Sequence, residues 1–142
     1  MGRAASEPDG LAVLGIFYEI QRGDNNQWSE LTAKLAQVKK PNGKATTISS
    51  LSLENFLPRG TASSDFYRYS GSLTTPGCFQ SVTWTVFRQA LKISEGQMSF
   101  FRSLAFSNGK PMVNNFRPVQ PQNSRKISAS FMDTIGPDWG YS

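Results

Sequence analysis

Between Tyr69 and Trp84 the chain places two adjacent hydroxyls, Thr74 and Thr75, just before Pro76, and a lone thiol at Cys78. A hydroxyl can donate one hydrogen bond while accepting others. Thr74-Thr75-Pro76-Gly77 reads as a turn that would present both hydroxyls together. The complementary chemistry is missing, because the 142 residues include 0 His and 1 Cys. One thiolate with scattered carboxylates does not make a catalytic metal site, which needs three protein ligands and an open position.

The strand that must carry this turn is the clearest element in the sequence. From Ser81 to Arg88 the residues alternate, with Val82, Trp84 and Val86 on one face and Thr83, Thr85 and Phe87 on the other. Phe66 to Ser70 is aromatic-rich and reads as a second strand. Leu11 to Ile20 is almost wholly apolar and free of proline, which predicts a strand buried on both faces. Arg22 to Asn26 ends it with turn formers. Trp28, Leu31, Leu35 and Val38 recur at spacings of three and four and predict an amphipathic helix stopped by Pro41-Asn42-Gly43. Ala45 to Leu51 is a short candidate strand, and Leu53 to Leu57 reads as one helical turn closed by Pro58. Ser94 with Gln97 is a capping-box signature, and a helix from there would place Met98, Phe101 and Ala105 on one face. Asn108 to Pro111 is a turn. Pro118 and Pro121 keep residues 114–125 out of regular structure, and Arg125 to Phe131 is a last candidate strand. These elements predict a mainly β, α+β fold, a mixed and largely antiparallel sheet with peripheral helices.

Composition narrows the function classes. With 38% hydrophobic and 12% aromatic residues in patterned runs, the chain is not of a disordered type. No apolar run approaches the roughly 18 residues that span a bilayer. The net charge of +5 invites a nucleic-acid reading. The basic residues are scattered, however, and Lys39-Lys40 falls where cations complement a helix dipole, so no nucleic-acid partner is expected. Met1 to Ser6 fits the six-residue N-myristoylation pattern, which arises easily by chance.

Four ordered blocks resemble the α-class carbonic anhydrases. Pro8-Asp-Gly-Leu-Ala-Val-Leu-Gly-Ile-Phe17 resembles the strand that follows the family's third zinc histidine. Tyr69-Ser-Gly-Ser-Leu-Thr-Thr-Pro76 with Val82-Thr-Trp84 is similar to its active-site loop and the next strand. Ser94-Glu-Gly-Gln97 resembles the start of its late helix, and Asn114-Asn-Phe-Arg-Pro-Val-Gln-Pro121 its knotted C-terminal segment. The likeness covers about residues 4–131 and implies the C-terminal portion of that fold. It implies reversible hydration of carbon dioxide to bicarbonate and a proton by zinc-bound hydroxide. Thr74 matches the threonine that accepts a hydrogen bond from the hydroxide and passes its own proton to a buried glutamate. Thr75 matches a pocket residue that can bind bicarbonate. Val13, Leu73, Val82 and Trp84 match the apolar wall where carbon dioxide rests.

The departures are as informative. In this family the three zinc histidines, the glutamate and the proton-shuttle position precede the segment that matches Leu11. The expectation is therefore a chain whose residues 1–131 are an incomplete domain, lacking its zinc-ligand half and inactive alone, with that N-terminal half as its partner. Secreted and membrane-anchored members pair a cysteine in the place of Cys78 with one near the N-terminus, which implies an extracellular or membrane-associated parent. Gly136-Pro-Asp-Trp-Gly-Tyr141 resembles the opening of another such domain, so residues 132–142 are expected to be a tail, as at the start of a second tandem domain. The alternative is a carbonic anhydrase-like binding or structural module without catalysis.

Overall fold

The structure is a computed structural model that describes residues 7–39, 45–49 and 51–131. It forms two compact units drawn from interleaved stretches of chain. The first takes residues up to Gly15, Arg59–Arg88 and those from Pro121 onward; the second takes Ile16–Pro58 and Gln89–Gln120.

In the first unit the alternating run becomes β4 (Val82–Phe87), flanked by β1 (Leu11–Gly15) and β3 (Phe66–Gly71). β1 runs parallel to β4, with Leu11 beside Val82, Val13 beside Trp84 and Gly15 beside Val86. β3 runs antiparallel to it and places Gly71, Tyr69 and Tyr67 beside the same three β4 residues. The two-residue β6 (Ser128–Ala129) pairs with β3 at Arg68 and Tyr67, completing the order β1-β4-β3-β6. Val82, Thr85 and Phe87 are buried. The Arg68 Nε–H donates to the Thr85 hydroxyl at 3.1 Å, so that buried oxygen has its partner. Around Phe131, the Tyr67 ring packs edge-on at 5.1 Å and the Arg88 guanidinium lies 4.5 Å from the ring centre.

In the second unit β2 (Tyr18–Gln21) and β5 (Leu91–Ser94) form a parallel pair, each leading into helical structure. After β2 come a 3₁₀ turn (Asn26–Trp28) and α1 (Ser29–Leu35); after β5 comes α2 (Glu95–Arg102). Trp28 is the centre of this unit, 5% exposed and edge-to-face with Phe56 at 4.5 Å, Tyr18 at 5.0 Å and Phe101 at 5.8 Å. Ser94 and Gln97 form the capping box that the sequence announces. The buried Gln97 carboxamide also accepts from the Asn25 N–H at 3.0 Å and donates to the Asn25 carbonyl at 2.8 Å, joining the two strand-to-helix connections.

Several expectations change. The apolar run from Leu11 to Ile20 is two strands, β1 and β2, that belong to different sheets. It is not buried on both faces, since Leu14, Phe17 and Ile20 are each at least half exposed. An uninterrupted apolar run has no period to show where a strand breaks. α1 ends at Leu35, so Val38 continues its spacing outside the helix, and Ala105 lies beyond α2, bridged to Pro111. Ala45 to Ser49 is not a strand, and the last strand is two residues instead of seven. The Leu53–Phe56 turn, β3, β4 and the irregular segment after residue 114 stand as expected. The Met1–Ser6 pattern, the Pro41-Asn42-Gly43 stop and the tail from residue 132 lie outside the described residues.

Trp28→Ala should cost about 3–5 kcal/mol in urea denaturation, the range for truncating a buried aromatic. Leu53→Ala, at 75% exposure, should stay within about 0.5 kcal/mol. Burial pushes the Tyr18 phenol above its ordinary 10.0. The folded state therefore favours the neutral form, so this contribution is whole below pH 10.0 and is lost as pH rises through the raised folded value. The urea midpoint should fall on the alkaline side of that pH in the natural chain, and fall less in Tyr18→Phe.

Candidate functional site

The predicted site residues all belong to the first unit. β1, β4 and β3 set Val13, Trp84 and Tyr69 side by side, with Leu11, Val82 and Gly71 in the next row of the same face. Val82 is 1% exposed, whereas Val13 and Trp84 are half-buried. Leu73, Thr74 and Thr75 stand on the turn between β3 and β4, Leu73 half-buried and both threonines exposed. The structure thus brings Val13, Val82 and Trp84 together on one sheet face and puts the threonines on a turn that springs from the same strands. Among the described residues the Thr74 hydroxyl makes no hydrogen bond with a carboxylate.

Hydrogen bonds hold the turn at its base and its tip. Leu73 N–H donates to the Phe79 carbonyl at 3.0 Å, closing its base, and Cys78 N–H donates to the Thr75 carbonyl at 3.0 Å, tightening its tip. The Trp84 indole N–H donates to the Ser72 carbonyl at 3.0 Å. The tip needs left-handed backbone at two successive residues, Gly77 at φ +101 and Cys78 at φ +42. Only the first of these is a glycine, which adopts that region without strain. Beneath the turn, a Cβ on Gly71 would lie 2.8 Å from Trp84 Cδ1, so the indole occupies space that any other residue there would claim. On the opposite face the Thr83 hydroxyl donates to Asp9 Oδ1 at 3.1 Å.

Sequence reasoning named the hydroxyls and the apolar residues but missed Gly71, Tyr69 and the Ser72 carbonyl. A glycine between Tyr69 and Trp84 is a faint signal of close approach. The register that sets it beside the indole row is not visible in one sequence.

The donor set does not fit a catalytic zinc. The sequence has 0 His, and among the described residues no three Cys, Asp or Glu side chains group as a metal site would need.

Fold and turn together define a class, a mainly β domain with a mixed sheet, few helices and a threonine-bearing turn beside an apolar sheet face. The family model of the eukaryotic-type carbonic anhydrases matches residues 1–131, and the chain belongs to that family. It is 46% identical over 135 residues to carbonic anhydrase 7 of Homo sapiens, covering 92% of this chain and 49% of that protein. Over the same length it is 44% identical to carbonic anhydrase 7 of Mus musculus, covering 49% of it. It is 36% identical to carbonic anhydrase 15 of Mus musculus, covering 42% of it. The chain spans about half or less of the length of these relatives.

Gly77→Ala should destabilise the first unit by about 1–3 kcal/mol, because alanine is strained at positive φ and its Cβ would meet Phe79 Cε2 at 2.9 Å. Gly23→Ala, with nothing within 4 Å, should change stability by less than about 0.5 kcal/mol. Urea titrations of the two variants make the comparison.

Proposed function

We propose that this chain is the C-terminal portion of a carbonic anhydrase domain, contributing the orienting hydroxyl and apolar wall for the reversible hydration of carbon dioxide to bicarbonate and a proton. The observation that carries the reading is the tie between the Thr74 turn and the strand face that holds Val13, Val82 and Trp84. Thr74 accepts a hydrogen bond from the attacking hydroxide and donates its own proton to a carboxylate, a double role that a hydroxyl can fill. Thr75, its neighbour on the turn, binds the bicarbonate product. Val13, Leu73, Val82 and Trp84 hold carbon dioxide, an uncharged molecule that gains nothing from a polar site. Zinc is the family's metal, and its ligands belong to the portion of the domain these residues do not supply. Alone, the chain binds no zinc and is inactive. Cys78, at the tip of the turn, stands where secreted and membrane-anchored members of the family carry a disulfide cysteine, which supports an extracellular or membrane-associated setting for the complete protein.

The test compares the chain alone with the chain refolded together with the complementary N-terminal portion of human carbonic anhydrase 7. Alone, it should show no stoichiometric zinc and no carbon dioxide hydration. Together, the two should take up one zinc and hydrate carbon dioxide, and Thr74→Val should lower turnover about 100-fold with zinc retained, as expected when a reacting group loses its orientation. Zinc binding and activity in the isolated chain would overturn the proposal. A refolded pair that holds zinc without activity would favour a non-catalytic binding module.

A further inference from the structure

We infer that Trp84 is a positioning residue, its indole N–H holding the Thr74 turn through the Ser72 carbonyl. As a wall residue Trp84 needs only its ring, and phenylalanine would do nearly as well. The structure shows the ring used differently. Its N–H donates at 3.0 Å to the carbonyl of Ser72, the first residue after β3 and two residues before Thr74. A half-buried indole keeps its N–H paired where it can, because the ring is apolar and the N–H is not. Trp84 cannot move along the sheet easily, since its neighbours in the register, Val13 and Tyr69, flank it on both sides.

Gly71 is the second half of the device. A Cβ there would sit 2.8 Å from Trp84 Cδ1 and 3.3 Å from Nε1, so the approach of the indole to the base of the turn depends on a residue without a side chain. Leu73 then returns its N–H to Phe79, and the threonines are carried between these two fixed points. The consequence for catalysis rests on the role of Thr74 proposed above; the contact itself does not, and it can be tested without activity.

The experiment uses the full chain labelled with 15N and follows hydrogen exchange at the Trp84 indole and at the Leu73 and Cys78 amides. Thiol labelling of Cys78, the sole cysteine, reports on the same turn. In the natural chain the Trp84 indole N–H should exchange at least about tenfold more slowly than in an unfolded chain. In Trp84→Phe, exchange at Leu73 and Cys78 and thiol labelling should accelerate about threefold to tenfold, the effect of one net hydrogen bond. Amides around Tyr67 and Val86, at the far end of the β3–β4 pair, should keep their rates. An indole that exchanges at the unfolded rate overturns the inference, and this measurement decides even where Trp84→Phe does not fold. Unchanged turn rates in Trp84→Phe, or equal acceleration across the whole sheet, would also overturn it. Thr74→Val should leave all of these rates unchanged. In the refolded pair, Trp84→Phe should lower kcat about threefold to tenfold with KM within about twofold. Full turnover by Thr74→Val would remove the catalytic reading and leave the Trp84 contact standing.

Discussion

Pairing on both sides of β4 is the constraint on which the first unit depends. A strand bonded in parallel to one neighbour and antiparallel to another cannot slip by one residue without turning its whole apolar set to the opposite face. That register puts Val82 and Trp84 on the same side as Val13 and leaves Thr83 and Thr85 on the other, where Asp9 and Arg68 satisfy their hydroxyls. Because Trp84 is fixed by this pairing, its indole can reach out of the sheet and hold the loop that follows β3. The chain therefore goes from alternation, to register, to a turn whose hydroxyls are set relative to an apolar face.

The second unit solves a different problem. Its two strands are four residues each, too short to stabilise a sheet by themselves. A single tryptophan ringed by three aromatic side chains supplies the apolar centre. Gln97 then meets polar demands from two directions, completing the Ser94 cap and receiving and returning a hydrogen bond to Asn25. A buried carboxamide this fully paired specifies geometry, because any displacement of α2 from the Asp24–Asn25 loop strands donors and acceptors away from water.

What could be read from the sequence follows from which physical signals are local. The alternation at Val82–Phe87 and the Ser94–Gln97 cap depend on neighbours in the chain, and both appear where expected. The split of Leu11–Ile20 into β1 and β2 depends on partners some 70 residues away, Val82 for one strand and Leu91 for the other, and continuous apolarity hides it. β5 has only four residues and no distinctive pattern of its own, so it went unseen. For the candidate site, the resemblance supplied Thr74, Thr75 and the apolar residues as expectations only. It could not deliver the Ser72 carbonyl, since every residue has one and only the fold decides which is used.

A hydroxyl and an apolar wall can orient a reaction but cannot make its nucleophile. Bulk water is far too weak an acid to supply hydroxide at neutral pH, and metal coordination is what brings its pKa down to about 7. No side chain in this sequence offers the neutral imidazole that such a site takes. In the role proposed for it, the Thr74 hydroxyl orients an oxygen activated elsewhere, and that has value only if the turn stays still. Placement of the turn is built here, from a glycine that admits an indole and a carbonyl that receives its N–H.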